Sequence, residues 1–197
     1  MIDVKDQFPI FDKKIKGKKL TYLDSANSSQ KPKSVIEKLS QFYSYEFANV
    51  GRGIYQLASS ASEKYEETRN ELKKFINCKD DGEIIFTKNS TESLNLIAKC
   101  FGEKYINEGD EIISTELEHH ANYVPWHFLR KNKKAVIKFI PVDDDGNLQI
   151  EKLSELITKK TRIISVTHMS NVTGTIVNIK KIKEIADKFN IPVCVDG

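Results

Sequence analysis

Short apolar runs alternate with amphipathic stretches from residue 83 onward, and that order constrains the fold of this chain more than any other feature. The runs are EIIFT (83–87), EIIST (111–115), AVIKFIPV (135–142), RIISVTH (162–168) and IPVCVD (191–196). Between them lie ESLNLIAKCFGEKY (92–105), ANYVPWHFLRKN (121–132), IEKLSELIT (150–158) and IKKIKEIADKF (179–189), with apolar residues at helical spacing. Runs apolar on both sides, joined through helices, predict an α/β fold with a largely parallel sheet flanked by helices on both faces.

Upstream of this pattern the sequence predicts an extended arm to about residue 19, a short strand LTYLD (20–24) and a polar turn. A helix VIEKLSQFYSYEFA opened by Pro32 and Ser34 follows, then a second helix from about Ser59 to Ile76. There is no internal repeat and no low-complexity tract.

In open α/β sheets ligands bind outside the carboxyl ends of the strands, so the residues just after each run are the candidates for chemistry. After EIIFT comes Asn89-Ser90-Thr91-Glu92, which reads as a capping box, Asn89 with Glu92 three residues on. The same helix N-terminus, with the hydroxyls of Ser90 and Thr91, also suits a phosphate. No GxGxxG and no GxxxxGK[ST] occurs, so neither a dinucleotide nor a P-loop nucleotide is offered.

After EIIST comes Glu118-His119-His120-Ala121-Asn122, with Tyr123, Pro125 and Trp126 close behind. Adjacent histidines at such a turn can cap the helix, stack on a flat ring or exchange protons near neutral pH. Metal binding is the weakest reading, since no further ligand spacing completes a set with His119, His120 or His127. After RIISVTH, Asn171 stands in a polar turn, where it can serve the turn itself or meet a ligand oxygen. IPVCV ends on Asp196, a carboxylate whose burial is costly unless a cation or protonated ring nitrogen offsets it. Together these residues fit one ligand: a phosphate, an aromatic ring, a ring oxygen and a ring nitrogen.

Composition excludes more than it assigns. The formal net charge of +3 arises from scattered lysines without interleaved aromatics, which argues against nucleic-acid binding. No run of eighteen apolar residues and no secretory signal occurs, so neither a membrane span nor export is expected and a cytoplasmic location follows by default. Cys78, Cys100 and Cys194 lack the spacing of a disulfide framework or zinc knuckle. Cys100, within a helix, and Cys194, within a strand, are expected to behave as small hydrophobes.

At this point the motifs match a known family. YLDSANSSQKP (22–32), RGIYQLASSASEKYEETR (52–69), NSTESLNLIA (89–98), EHHANYVPW (118–126), THMSNVTGT (167–175) and VCVDG (193–197) resemble SufS-type (group II) cysteine desulfurases. These are class V aminotransferase-like, fold-type-I enzymes that use pyridoxal 5'-phosphate (PLP). EHHAN…PW is specific to that branch, whereas S/T-T-E and VDG are shared widely among PLP enzymes.

The resemblance implies that Ser90 and Thr91 hold the cofactor phosphate, that His119 stacks on the ring and assists proton transfer, that Asn171 lies near the phenolic oxygen, and that Asp196 pairs with the ring nitrogen. It implies residues 1–19 as an arm packing on a small domain and 20–197 as a partial PLP-binding large domain, incomplete at the C-terminus. It further implies L-cysteine as substrate, a homodimer, and a sulfur-acceptor protein of iron–sulfur cluster assembly. Gly51-Arg52-Gly53-Ile54-Tyr55 and Asp24-Ser25-Ala26-Asn27-Ser28 depart from the HRGIH and DSAAS of many relatives, near the substrate entrance.

Relatives continue after VDG into segments that hold the cofactor-linking lysine and the sulfur-accepting cysteine, and neither is in this chain. Lys88 stands at the phosphate end and does not replace that lysine. The expectation is therefore a fragment unable to turn over cysteine by itself. Selenocysteine lyase or another class V enzyme is the near alternative, and a non-catalytic chain acting through a partner subunit is the distant one.

Overall fold

The computed structural model describes residues 4–78 and 84–197. It falls into two compact units, Met1–Phe86 and Thr87–Gly197.

In the first unit a two-residue hairpin pairs β1 (Lys14–Ile15) with β2 (Lys18–Lys19) across Lys16 and Gly17, both at positive φ. The expected strand LTYLD does not form. The Tyr22 hydroxyl instead donates to the Ser28 carbonyl at 2.5 Å, the Asn27 N–H donates to the Asp24 carbonyl, and Leu23 is exposed. An apolar run becomes a strand only when a neighbour supplies the other half of its ladder. Helix α1 (Lys33–Gln41) continues into a π-helical turn, Phe42–Glu46. Lys38 and Lys64 both pair with Glu46, tying that turn to α2 (Gln56–Phe75), which begins three residues before the expected start at Ser59. Arg69 lies over the Tyr65 and Phe86 rings and donates to the Ile84 carbonyl.

Residues 84–87 of EIIFT are not a strand either, and Glu83 lies outside the described residues. With its carbonyl taken by Arg69, Ile84 has no ladder partner, and Ile85 is largely exposed.

The second unit carries the alternation the sequence predicts. Its elements are α3 (Ser90–Tyr105), β3 (Glu111–Thr115), α4 (His120–Lys133), β4 (Val136–Ile140), α5 (Leu153–Leu156) after a 3-10 turn, β5 (Thr161–Thr167), α6 (Ile179–Asp187) and β6 (Val193–Asp196). The four strands form one sheet in the order β4-β3-β5-β6, with every pairing parallel. The α/β class with helices flanking a parallel sheet is therefore as expected. IEKLSELIT forms less helix than its periodicity suggests, a 3-10 turn and a single α turn.

Alternation along the strands divides the core between the two faces. Ile113, Ile164 and Val166 pack with Leu153, Ile182 and Ala186, so α5 and α6 cover one face. Ile112 and Ile163 pack with Ala98, Trp126 and Leu129, so α3 and α4 cover the other.

Helices α3 and α4 run side by side in the same direction. Asn95 and Ala98 share a groove with Pro125, Gly102 abuts Leu129, and Lys133 Nζ donates to the carbonyls of Gly102, Glu103 and Ile106 at 2.8, 2.8 and 3.0 Å. Each helix ends where a strand begins, so each starts at the opposite edge of the sheet. That edge is the carboxyl one, where β3, β5 and β6 also end.

Candidate functional site

The carboxyl edge gathers the residues singled out from sequence, on three kinds of support. Ser90 and Thr91 stand on the first turn of α3. The capping box forms as expected: Asn89 Oδ1 accepts the Glu92 N–H at 2.9 Å and the Glu92 carboxylate accepts the Lys88 N–H at 2.7 Å. Those bonds leave the amides and hydroxyls of Ser90 and Thr91 without partners among the described residues, and both side chains are exposed. A hydroxyl bond of 2.6 Å between Thr87 and Ser93 braces the same turn. Free N–H groups beside two hydroxyls suit a phosphate dianion. The Glu92 carboxylate opposes an anion at this terminus, and Lys88, 3.9 Å from it, offsets part of that charge.

His119 occupies the turn between β3 and α4. Its Nδ1 accepts the Ala121 N–H at 3.1 Å, so the imidazole is itself the N-cap of α4. This is the capping role that sequence left open, and it is compatible with ligand contact. With Nδ1 engaged as acceptor, the neutral ring carries its proton on Nε2, and the residue is exposed. His120 and His127 do not converge with it. The His119 and His120 rings lie 6.2 Å apart at 58°, while His127 stacks edge-on to Tyr123 with its Nε2 buried and unpaired. Among the described residues no group of three His, Cys, Asp or Glu could hold a metal ion.

Asp196 ends β6 beside Thr167 of β5, and its carbonyl accepts the His168 N–H at 2.7 Å. One strand, β5, separates it from β3, so the ends that carry His119 and Asp196 are about 10 Å apart, two strand spacings. Asn171 is exposed in the turn 170–174. That turn closes through Ser170 and Gly174, with Gly174 at φ +73°, and no bond of the Asn171 side chain contributes.

Sequence reasoning assigned no role to the residue that joins these parts. The Glu118 carboxylate receives three donors: Thr115 Oγ1 at 2.6 Å, the Thr167 N–H at 2.8 Å and Asn122 Nδ2 at 2.5 Å. Asn122, fully buried, accepts in turn from Ser165 Oγ at 2.6 Å and from the Trp126 indole at 3.4 Å. Burial pushes the Glu118 carboxyl above the ordinary glutamate range despite those donors, and the Asp196 carboxylate adds to the rise. Cys194 lies under the same network beside Ser165, and burial likewise pushes its thiol up. Cys194 thus behaves as expected, whereas Cys100 is exposed on α3, because its position falls on the helix face turned from the sheet. Two signals for the network were in the sequence: the four-residue spacing of Glu118 and Asn122 at a helix start, and Ser165 and Thr167 inside an otherwise apolar strand.

The residues at this edge fit PLP. The free amides and hydroxyls of Ser90 and Thr91 match a phosphate, the His119 imidazole offers a flat face, and Asp196 is a carboxylate with no cation of its own among the described ion pairs.

Comparison with known proteins bears on the chain as a whole. The model of the aminotransferase class-V family matches residues 21–197. The chain is 45% identical over 196 residues to the cysteine desulfurase of Wigglesworthia glossinidia brevipalpis, covering 99% of this chain and 48% of that protein. It is 40% identical to a probable cysteine desulfurase of Halalkalibacterium halodurans, with 99% and 48% covered. Among solved structures, the apo cysteine desulfurase from Thermococcus onnurineus NA1 superposes with a TM-score of 0.90 at 35% identity, over 99% of this chain and 46% of that one. The cysteine desulfurase CsdA from Escherichia coli gives 0.81 at 35% identity, over 98% and 47%. The chain spans about half the length of these relatives.

Proposed function

This chain belongs to the aminotransferase class-V family, and from that premise we propose that the protein is a PLP-dependent cysteine desulfurase of the SufS type. The observation that carries the proposal is the presence, at one sheet edge, of a helix N-terminus with the amides and hydroxyls of Ser90 and Thr91 free, an exposed imidazole and a strand-end carboxylate. The names of the similar proteins and the EHHANYVPW motif support the choice of reaction.

PLP, when bound, supplies an electron sink for negative charge developing on an amino acid substrate. This chain's residues have defined tasks beside it. Ser90 and Thr91 hold the phosphate with hydroxyls and amides. Asp196 would pair with the ring nitrogen and favour its protonated form, and Asn171 would serve the phenolic oxygen. His119 would lie against the ring, and its Nε2 would move a proton at the substrate. L-cysteine and an enzyme cysteine thiol give L-alanine and an enzyme persulfide, whose outer sulfur passes to an acceptor protein of iron–sulfur assembly. The protein works as a homodimer in the cytoplasm, and no described helix is long and apolar enough to cross a membrane. Residues 1–19 act as an arm and the remainder as part of the PLP-binding large domain.

The test is the gene product as its cell makes it, examined for PLP absorbance and, with a dithiol reductant present to release persulfide sulfur as sulfide, for alanine and sulfide formed from L-cysteine. Asp196→Asn is expected to retain PLP and to lose at least a hundredfold in rate. A gene product that binds no PLP, or that binds it and leaves cysteine untouched, overturns the reading. Selenocysteine processed far faster than cysteine corrects the substrate.

A further inference from the structure

Helix α4 is poorly anchored at its start by its own backbone. Pro125 lacks the N–H that would bond the Ala121 carbonyl four residues back, so one main-chain bond of the second turn is missing. The His119 side chain caps the helix and the Asn122 N–H bonds the His119 carbonyl, which holds the turn to itself and not to the sheet. Ser165 Oγ of β5 joins it to the sheet by donating to Asn122 Oδ1, and so does the Glu118 carboxylate. That carboxylate binds the end of β3 through Thr115, the end of β5 through the Thr167 N–H, and the first turn of α4 through Asn122.

We propose that Glu118 is a positioning residue: by tying two strand ends to the first turn of α4, it fixes His119 relative to Asp196. The inference rests on the PLP reading of those two residues. Thr167 pairs in register with Asp196 on β6, and His119 follows Glu118 directly in sequence, so one carboxylate spans the gap between them.

Directionality makes the network exacting. Ser165 and Trp126 both donate to Asn122 Oδ1, which leaves Asn122 only Nδ2 to turn toward Glu118. Glu118 must therefore accept on that side. An amide at position 118 directs either its own N–H2 at Asn122, donor against donor, or its N–H2 at Thr115 and the Thr167 N–H. Exchanging the two groups, with an amide at 118 and a carboxylate at 122, restores every donor–acceptor pair.

The experiment uses the native gene product. PLP affinity is measured by titrating the apoprotein with PLP alone, and kcat and KM for L-cysteine are measured with saturating PLP. Glu118→Gln is expected to weaken PLP binding at least tenfold and to lower kcat more than it raises KM. The double variant Glu118→Gln/Asn122→Asp is expected to return PLP affinity to within threefold of the original. Thr115→Val, which removes one donor and keeps the carboxylate, is expected to weaken PLP about threefold, and it decides the matter should Glu118→Gln fail to fold. A lower melting temperature with unchanged PLP affinity in either single variant reduces Glu118 to a structural role and overturns the proposal, as does a folded double variant that recovers nothing. If the unaltered gene product binds no PLP, the functional reading falls first and this inference falls with it.

Discussion

Asn122 Oδ1 lies 2.6 Å from Ser165 Oγ, which ties a fully buried amide on α4 to a hydroxyl in the middle of β5. Ser165 is itself fully buried, so neither group has water to fall back on. Ser165→Ala leaves Asn122 Oδ1 with the indole at 3.4 Å as its only described donor and is expected to cost about 1–3 kcal/mol, the penalty of a buried acceptor left under-satisfied. Asn122→Leu strands Ser165, Trp126 and Glu118 together and is expected to cost more. Urea unfolding of both variants, followed by circular dichroism, measures the difference. Equal stability for the three proteins would show that the network contributes nothing.

The packing of α3 on α4 leaves no room at Gly102. A methyl group there would lie 2.5 Å from Leu129 Cδ1 and 2.8 Å from Cδ2. Overpacking of this kind costs about 1–3 kcal/mol, against a gain of roughly 1 kcal/mol in helix propensity for Gly→Ala. Gly102→Ala is therefore expected to lower the melting temperature, and Leu129→Ala, destabilising alone, to lose less in its presence. A double-mutant cycle reports the coupling, and strict additivity of the two changes would contradict the contact.

Lys133 closes the C-terminus of α3 from the last turn of α4. Its ammonium meets the carbonyls of Glu103 and Ile106, and that of Gly102, which also accepts the Ile106 N–H, where the helix dipole favours a cation. Lys133→Met keeps the aliphatic stem and is expected to lose about 1–2 kcal/mol. Lys131, exposed two residues earlier, is the control, and Lys131→Met should leave stability unchanged. Chemical denaturation of the pair distinguishes a cap from a general charge effect.

Stability should fall on both sides of a pH optimum, for opposite reasons. Burial works against Asp110, yet the Arg162 guanidinium at 2.9 Å and the Asn107 N–H hold its carboxyl below the usual aspartate value. Its contribution is present above about pH 3.9 and is lost as pH falls through the lowered value. Glu118 has the reverse sign. Burial and Asp196 raise its value in the folded state, so its contribution is complete below about pH 4.3 and is lost as pH rises through the raised value. In urea melts from pH 3 to 8, Asp110→Asn should flatten the acid limb and Glu118→Gln the fall above it. An acid limb as steep in Asp110→Asn as in the unaltered protein would remove Asp110 from the account.

How much was legible in the sequence depended on whether the signal was local. The alternation from EIIST to IPVCVD dictated a parallel sheet because strands buried on both faces cannot hide their apolar runs. The capping box of Asn89 and Glu92 was legible for the same reason, since three residues of spacing fix its geometry. EIIFT and LTYLD carried the composition of strands without the partners, and composition cannot report whether a neighbour will offer a ladder. The positions of Ser90, Thr91, His119, Asn171 and Asp196 at the carboxyl edge could be listed from their places after the apolar runs.

What the sequence determined by itself was therefore the set of side chains delivered to one edge of the sheet, because strand direction and helix spacing are short-range properties. Only the tertiary structure decided that Glu118 stands among Thr115, Asn122 and Thr167, 49 residues away from the last of these in the chain. It also decided that His119 caps α4, and that burial with Asp196 nearby raises the Glu118 carboxyl. Those facts depend on which strand neighbours which and on how much water the packing excludes, and both are set by the fold as a whole.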